Sequence, residues 1–127
     1  MAGKVLLCDD SMLVRKKLRA LVEECGFVVT EAQNGRQAIE QYAKESPDIV
    51  LMDIVMPEMT GLEALAAIRQ ADHEAKVVMI SSTGTSSKLI EALKQGALDF
   101  VQKPFEAEQI RDLLTRLMMQ NKEDLHV

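Results

Sequence analysis

Six polar residues follow the short apolar runs of this sequence, at the points where the runs end. Three of them are aspartates, two are serines and one is a lysine. Neighbouring carboxylates repel one another, and Mg²⁺, a hard cation that takes oxygen ligands and often binds beside phosphates, would offset that repulsion. A carboxylate, Mg²⁺, a hydroxyl and an ammonium are the groups that phosphoryl transfer uses. The six residues are Asp9, Asp10, Asp53, Ser81, Ser82 and Lys103.

The apolar runs alternate with stretches whose apolar residues recur at helical spacing, as Val14, Leu18 and Val22 do. Five strand–helix alternations predict an α/β fold, (βα)5, with a parallel sheet covered by helices on both faces and joined by right-handed crossovers. In such open sheets the site forms at the carboxyl ends of the strands. We therefore expect the six polar residues to converge at one edge. The predicted strands are 4–8, 27–32, 49–52, 76–80 and 99–102.

Local signals mark where helices begin and end. Ser11 is a candidate N-cap of the first helix, and Gly26 is placed to close it. Asn34-Gly35 is interpreted as a turn before the second helix. We predict a single domain over residues 1–120, followed by a polar tail over residues 121–127.

The composition of the 127 residues, 47% hydrophobic and 28% charged, is that of one ordinary globular domain. A net charge of -5 provides no basic surface, so we expect no nucleic-acid partner. No apolar run approaches the roughly 20 residues of a membrane span, so we expect no membrane contact and a cytoplasmic location. Cys8 and Cys25 are interpreted as reduced core thiols, because no C-x-x-C spacing supports a redox pair.

Each of the six polar residues also has a structural explanation when it is taken alone. An isolated aspartate after a strand is commonly a helix cap, and serines are ordinary residues of loops. Lys103-Pro104 could be only a rigid turn, with a cis peptide before the proline. The combination of these residues at successive strand ends favours a functional site over coincidence.

Six segments carry a resemblance to a known family: Leu7–Ser11, Asp48–Pro57, Gly61, Ser81-Ser82, Gly96-Ala97 and Asp99–Phe105. They resemble the response-regulator receiver domains, and most closely the single-domain CheY-type chemotaxis regulators. The resemblance covers residues 3–120. It implies a flavodoxin-like, doubly wound sheet of five parallel strands in the order 2-1-3-4-5, within a single domain.

The resemblance implies a role for each aspartate. Asp53 would be the phosphoacceptor. Mg²⁺ would be bound by the carboxylates of Asp10 and Asp53 and by the backbone carbonyl of Val55. Asp9 would hold a metal-bound water or complete the acidic pocket. Val55 offers no polar side chain that could orient an attacking water.

The resemblance also implies contacts to the phosphoryl group and a switch. Lys103, Ser81 and Ser82 would contact the phosphoryl oxygens, and Ser81 would move to do so. Phe100 would then turn inward, into the space that Ser81 leaves. Ser81 stands where Thr is frequent and keeps the hydroxyl, whereas Phe100 stands where Tyr is frequent and has none. The residues with structural roles would be Gly61 and Pro104, the latter after a cis peptide bond.

The implied function is that of a response regulator in two-component signal transduction, not an enzyme, since it would promote only its own phosphorylation and dephosphorylation. The donor would be a CheA-like histidine kinase. No effector sequence follows the last helix, so we expect the output to be a phosphorylation-dependent protein contact. We also expect a monomer. That contact would join the fourth helix, fifth strand and fifth helix to a flagellar motor switch protein or another protein target. A phosphatase is a further expected partner.

Three other functions stay open at this point. A stand-alone phosphorelay intermediate would pass the group to a histidine phosphotransfer protein. A Mg²⁺-dependent phosphatase acting through an aspartyl-phosphate would need a second aspartate two residues after Asp53, where the sequence has Val55. A flavodoxin-like cofactor binder would need a phosphate-cradling loop in place of Asp9–Met12.

Overall fold

The computed structural model describes residues 3–82 and 86–125, in which five strands alternate with five helices. The strands are β1 Lys4–Cys8, β2 Val28–Ala32, β3 Ile49–Met52, β4 Val77–Ser81 and β5 Asp99–Gln102. The helices are α1 Met12–Glu24, α2 Gly35–Glu45, α3 Gly61–Ala71, α4 Ser86–Lys94 and α5 Ala107–Leu125. All strand pairs are parallel, in the order β2-β1-β3-β4-β5. The predicted fold class and strand order are confirmed.

The helix ends follow local hydrogen bonding. Ser11 caps α1 with its side chain, and Gly26 follows the helix with φ of 93°, a conformation that suits glycine. The predicted turn before α2 lies one residue earlier than expected, because the chain bends at Gln33 and Asn34 and Gly35 is already the first residue of α2. The Asn34 side chain accepts a backbone N–H of the first helical turn, which makes it an N-cap.

The last helix is longer than expected. It continues to Leu125 because no glycine or proline interrupts α5. Most of the segment predicted as a tail is therefore helical, residues 126–127 lie outside the described ranges, and the division at residue 120 stays a prediction. Neither α5 nor any other helix in the described ranges combines the length and hydrophobicity that a bilayer crossing requires.

Both faces of the sheet are buried, each under its own helices. Alternate residues of a strand point to opposite faces, so Leu7 and Leu51 pack beneath α1 and α5, while Leu6 and Met52 pack beneath α2, α3 and α4. This double coverage explains the continuous apolar runs seen in the sequence. Polar residues of β1, β3 and β4 are thereby confined to the strand ends, whereas the edge strand β2 carries Thr30 and Glu31 within its length.

Candidate functional site

Backbone hydrogen bonds extend the parallel ladder one residue beyond the strands and fix the positions of the polar residues there. The N–H of Asp53 donates to the Cys8 carbonyl at 2.8 Å, and the N–H of Lys103 donates to the Ser81 carbonyl at 2.9 Å. Asp9 is the residue directly after β1. The three side chains of Asp9, Asp53 and Lys103 therefore leave the sheet at the same edge.

The carboxylates of Asp9, Asp10 and Asp53 form an acidic cluster, in which one oxygen of each lies within 4.8 Å of the others. Asp9 and Asp53 are buried, with exposed fractions of 2% and 7%, whereas Asp10 faces solvent. The Lys103 Nζ lies 2.8 Å from Asp9 Oδ2 and 3.4 Å from Asp53 Oδ2. The fold thus brings three carboxylates and one ammonium together.

The protonation of the cluster follows from burial and neighbouring charge. Burial raises the pKa of Asp53 above its ordinary value; the Lys103 charge opposes this shift and the Asp9 charge adds to it. Burial alone would lower the pKa of Lys103, but the hydrogen bond to Asp9 and the charge of Asp53 raise it above its ordinary value. The ammonium stays charged, and it compensates only part of the negative charge around it.

Backbone N–H groups of the segment after β3 bond the carboxylate of Asp53 and the carbonyl of Ile54. The N–H of Val55 donates to Asp53 Oδ1 at 3.3 Å, and the N–H of Gly61 donates to the Ile54 carbonyl at 2.7 Å. A Cβ atom on Gly61 would lie 1.9 Å from the Asp53 carbonyl oxygen, so only glycine lets α3 begin this close to the turn. The Val55 side chain is exposed.

The other predicted site residues lie at the ends of β4 and β5. Ser81 is fully buried and Ser82 is exposed. Phe100 is half-buried and packs against the apolar cluster beneath α2, α3 and α4. The Lys103–Pro104 peptide bond is cis. Ser82, Lys103 and Pro104 also line an open hollow of about 320 Å³ beside the acidic cluster.

A buried arginine next to the acidic cluster escaped the sequence reasoning. Arg15 is only 6% exposed, and it donates from Nη1 to the Asp9 carbonyl and from Nε to Glu31 Oε1. An arginine in an amphipathic helix is ordinarily expected at the surface. The available signal was spacing, because position 15 lies on the same helical face as Leu18 and Val22, which are both core residues.

The donors of the cluster suit a hard divalent cation. Asp9, Asp10 and Asp53 offer carboxylate oxygens, the ligand type that Mg²⁺ and Ca²⁺ take. Mg²⁺ needs few protein ligands because it keeps several of its waters, and the exposed Asp10 opens the cluster to solvent. The residues present therefore fit a bound metal ion, and their excess negative charge favours one.

The sequence matches the family model of the response regulator receiver domain over residues 5–115. The chain belongs to this family. Chemotaxis protein CheY of Bacillus subtilis is 42% identical to this receiver domain over 119 residues, which cover 93% of this chain and 99% of the relative. Chemotaxis protein CheY of Listeria monocytogenes is 45% identical over 114 residues, or 89% and 96% of the two chains.

The receiver fold is also shared with solved structures. A chain in the CheX-CheY-BeF3-Mg+2 complex from Borrelia burgdorferi superposes with a TM-score of 0.84 at 33% identity, covering 92% of this chain and 87% of that one. The family predicted from the motifs is confirmed. The relatives support chemotaxis-type signalling within a two-component system.

Proposed function

We propose that Asp53 accepts a phosphoryl group from the phosphohistidine of a partner kinase in a Mg²⁺-dependent reaction. The observation that carries this proposal is the position of Asp53, which is buried between acidic neighbours and an ammonium. Its carboxylate belongs to the cluster with Asp9 and Asp10 and lies 3.4 Å from the Lys103 Nζ. A carboxylate with a perturbed pKa beside a metal-binding group and a cation has the surroundings that phosphoryl transfer needs.

In the proposed step, a carboxylate oxygen of Asp53 attacks the phosphorus of the donor. A P–O bond forms, the N–P bond breaks, and the imidazole leaves with the electron pair of that bond. The Lys103 charge opposes the effect of burial on the pKa of Asp53 and so favours the ionised carboxylate, the form that attacks. The Lys103 ammonium is close enough to Asp53 to contact the incoming phosphoryl oxygens as a point charge.

Mg²⁺ would be held by Asp10, Asp53 and the backbone carbonyl of Val55, and when bound there it would neutralise charge on the phosphoryl oxygens. Asp9 has a different part. Its Oδ1 accepts the N–H of Ser11 at 2.9 Å, and its Oδ2 accepts the lysine ammonium at 2.8 Å. Because both oxygens of Asp9 already have donors, we assign it to holding a metal-bound water or completing the pocket.

The signal would leave the site through β4 and β5. The hydroxyl of Ser81, with Ser82 beside it, would move toward the new phosphoryl oxygens, which are strong hydrogen-bond acceptors. Phe100 would follow into the space that Ser81 leaves. The ring is already half-buried against the core, so a rotation changes how much of it faces solvent. Phe100 has no hydroxyl, so its readout is apolar packing.

The output surface would be formed by α4, β5 and α5. Among the residues whose burial the structure describes, exposed apolar side chains there include Leu89 (37%), Ile90 (52%) and Leu93 (49%) of α4, Leu98 (45%) just before β5, and Met119 (56%) of α5. Leu89 and Leu93 line an open groove of about 430 Å³ together with Phe100. Exposed apolar patches on a small domain commonly mark interaction sites. The proposed switch residue is therefore also a wall of the proposed docking groove.

The proposed circuit is that of the chemotaxis relatives. A CheA-like histidine kinase donates the group, a flagellar motor switch protein or another protein binds the output surface, and a phosphatase ends the signal. The Borrelia chain solved together with CheX, BeF3 and Mg+2 supports a partner protein for receivers of this kind. The domain itself would promote only its own phosphorylation and dephosphorylation.

The test is the intact mass of the protein after incubation with acetyl phosphate and Mg²⁺. We expect a gain of one phosphoryl group, which EDTA prevents and which Asp53→Asn abolishes. Asp48→Asn is the matched control, because Asp48 precedes β3 at the opposite edge, where its carboxylate accepts the N–H of Lys4 at 2.7 Å. Asp53→Asn protein that gains the group as readily as Asp48→Asn protein would overturn the proposal.

A further inference from the structure

Arg15 is an arginine whose side chain is almost entirely buried. Its side chain is 8% exposed, and burying a guanidinium is unfavourable unless its charge is paired and its N–H groups are bonded. Both conditions are met by partners on other elements. The guanidinium reaches from α1 to β2 on one side and to the turn after β1 on the other.

The contacts of the guanidinium are short and specific. Nη1 donates to the Asp9 carbonyl at 2.5 Å, and Nε donates to Glu31 Oε1 at 2.8 Å. The other oxygen of Glu31 accepts from Arg19 Nη1. Burial would raise the pKa of Glu31, but the hydrogen bonds from Arg19 and Arg15 lower it below its ordinary value, so Glu31 stays charged. The charge of Arg15 is thereby compensated.

The Asp9 carbonyl matters because it belongs to the peptide unit that carries Asp10. Asp9 lies one residue beyond β1, where the ladder ends, and its side chain is held separately by the N–H of Ser11. The Asp10 carboxylate makes no hydrogen bond or ion pair within the described ranges. Its direction therefore depends on the backbone, which Arg15 holds through the Asp9 carbonyl.

We propose that Arg15 is a positioning residue that fixes the Asp9–Asp10 peptide and thereby sets the affinity of the acidic cluster for a divalent cation. This inference rests on the proposed function of the cluster as a Mg²⁺ site. Arg15 does not touch the ion. Glu31 compensates the positive charge of Arg15, so that the guanidinium next to the cluster does not repel the metal ion. Removing outer partners of this kind typically weakens metal binding by about 10-fold to 100-fold.

The test measures Mg²⁺ affinity by titrating the full chain with Mg²⁺ alone and following amide NMR shifts. Arg15→Met keeps the apolar stem but removes both donors, and we expect binding about 10-fold weaker than in the wild type. Arg15→Lys can serve only one partner at a time, so its affinity should be intermediate. Arg19→Gln is the matched control, because Arg19 bonds Glu31 but not Asp9; its affinity should equal that of the wild type.

Further readouts separate positioning from a general loss of stability. Leu117→Ala shortens a buried side chain of α5 that lies away from the cluster. It should leave the Mg²⁺ affinity of the folded protein unchanged. With acetyl phosphate, Arg15→Met should be slow at low Mg²⁺ and reach the wild-type rate at saturating Mg²⁺. If Arg15→Met does not fold, Arg15→Lys decides the question.

Two negative results have different meanings. Equal Mg²⁺ affinity in the wild type and the Arg15 variants would overturn the inference and leave the proposed function intact. A wild-type protein that does not bind Mg²⁺ would overturn the proposed function, and the inference with it.

Discussion

The region proposed to receive the phosphoryl group and the region proposed to read it out are held together in different ways. At the carboxyl edge of β1 and β3, charged groups are buried and paired, with Asp9 and Asp53 joined through Lys103. On the face of α4 and β5, Leu89 and Leu93 leave more than a third of their surfaces to solvent. One region is built from polar contacts in the interior and the other from apolar side chains at the surface.

This difference matches what each region is proposed to do. Electrostatic interactions in a buried site depend steeply on distance, so the receiving groups must be positioned in advance. A readout surface must instead change its packing, so it cannot be locked by the same kind of network. When a rigid site lies next to a loosely packed face, a local change in charge can favour one of two packing arrangements of that face.

Among the substitutions of charged residues, the largest loss of stability is expected from Lys103→Met, which removes the cation of the receiving region. It leaves the buried carboxylates of Asp9 and Asp53 facing each other without the ammonium between them. We expect the free energy of unfolding in metal-free buffer at pH 7 to fall by about 2 to 3 kcal/mol, measured by urea denaturation. The loss should shrink as the pH falls through the raised pKa of Asp53, because a protonated carboxyl no longer needs the cation.

Lys4→Met is the matched control for this prediction. The Lys4 Nζ lies 3.7 Å from Glu45 Oε1, and the Lys4 side chain is 48% exposed. Removing its charge should therefore change the free energy of unfolding by less than about 1 kcal/mol. Equal effects of Lys103→Met and Lys4→Met would show that the receiving region is no more tightly held than the surface.

Asp53→Asn should raise the free energy of unfolding, whereas Lys103→Met lowers it. The folded-state pKa of Asp53 is raised above the unfolded value, chiefly by burial. Its stabilising contribution is therefore fully present below the unfolded pKa of about 3.9 and is lost as the pH rises through the folded value. An isosteric neutral amide avoids that loss. We expect the metal-free variant to be more stable by about 1 kcal/mol at pH 7, with the gain vanishing toward pH 4. A lower stability at pH 7 would contradict the electrostatic description of the site.

Val55→Asn tests the boundary of the receiving region. Val55 is 55% exposed and follows Asp53 by two residues, so an amide there could orient a water toward the phosphorylated aspartate. We expect self-dephosphorylation to accelerate several-fold, measured by the decay of the phosphorylated mass. Val28→Asn, at an equally exposed valine on β2, should leave the decay unchanged. An unchanged decay in the Val55 variant would count against this role.

The smallest stability effect is expected on the readout face. Leu93→Ser replaces an aliphatic side chain that is 49% exposed, and we expect the unfolding free energy to change by no more than about 0.5 kcal/mol. Leu65→Ser, at a fully buried leucine of α3, should be severely destabilising. Comparable losses in the two variants, measured by urea unfolding, would mean that the readout face is part of the core.

The strand ends were predictable because an apolar run covered on both faces must stop where the sheet meets solvent. That rule places Asp9, Asp53 and Lys103 at one edge of the sheet from the sequence alone. The roles given to Val55 and Phe100 came from the family resemblance alone, since neither residue type carries a chemical signal of its own.

The features that could not be predicted depend on tertiary context. Asn34-Gly35 suits a turn as well as a helix start, and only the hydrogen bond of the cap decides between them. Arg15 is separated from Glu31 by 16 residues, and only the packing of α1 against β2 brings the two together. The helical pattern shows that position 15 faces inward, but it does not identify the charged residue that Arg15 contacts.

The most direct test of the central proposal is to map the modified residue. After incubation with acetyl phosphate and Mg²⁺, borohydride reduces an aspartyl phosphate to homoserine, releasing the phosphate, and peptide mass spectrometry then locates the changed residue. We predict homoserine at position 53. Homoserine at position 9 or 10, or at none of the aspartates, would contradict it.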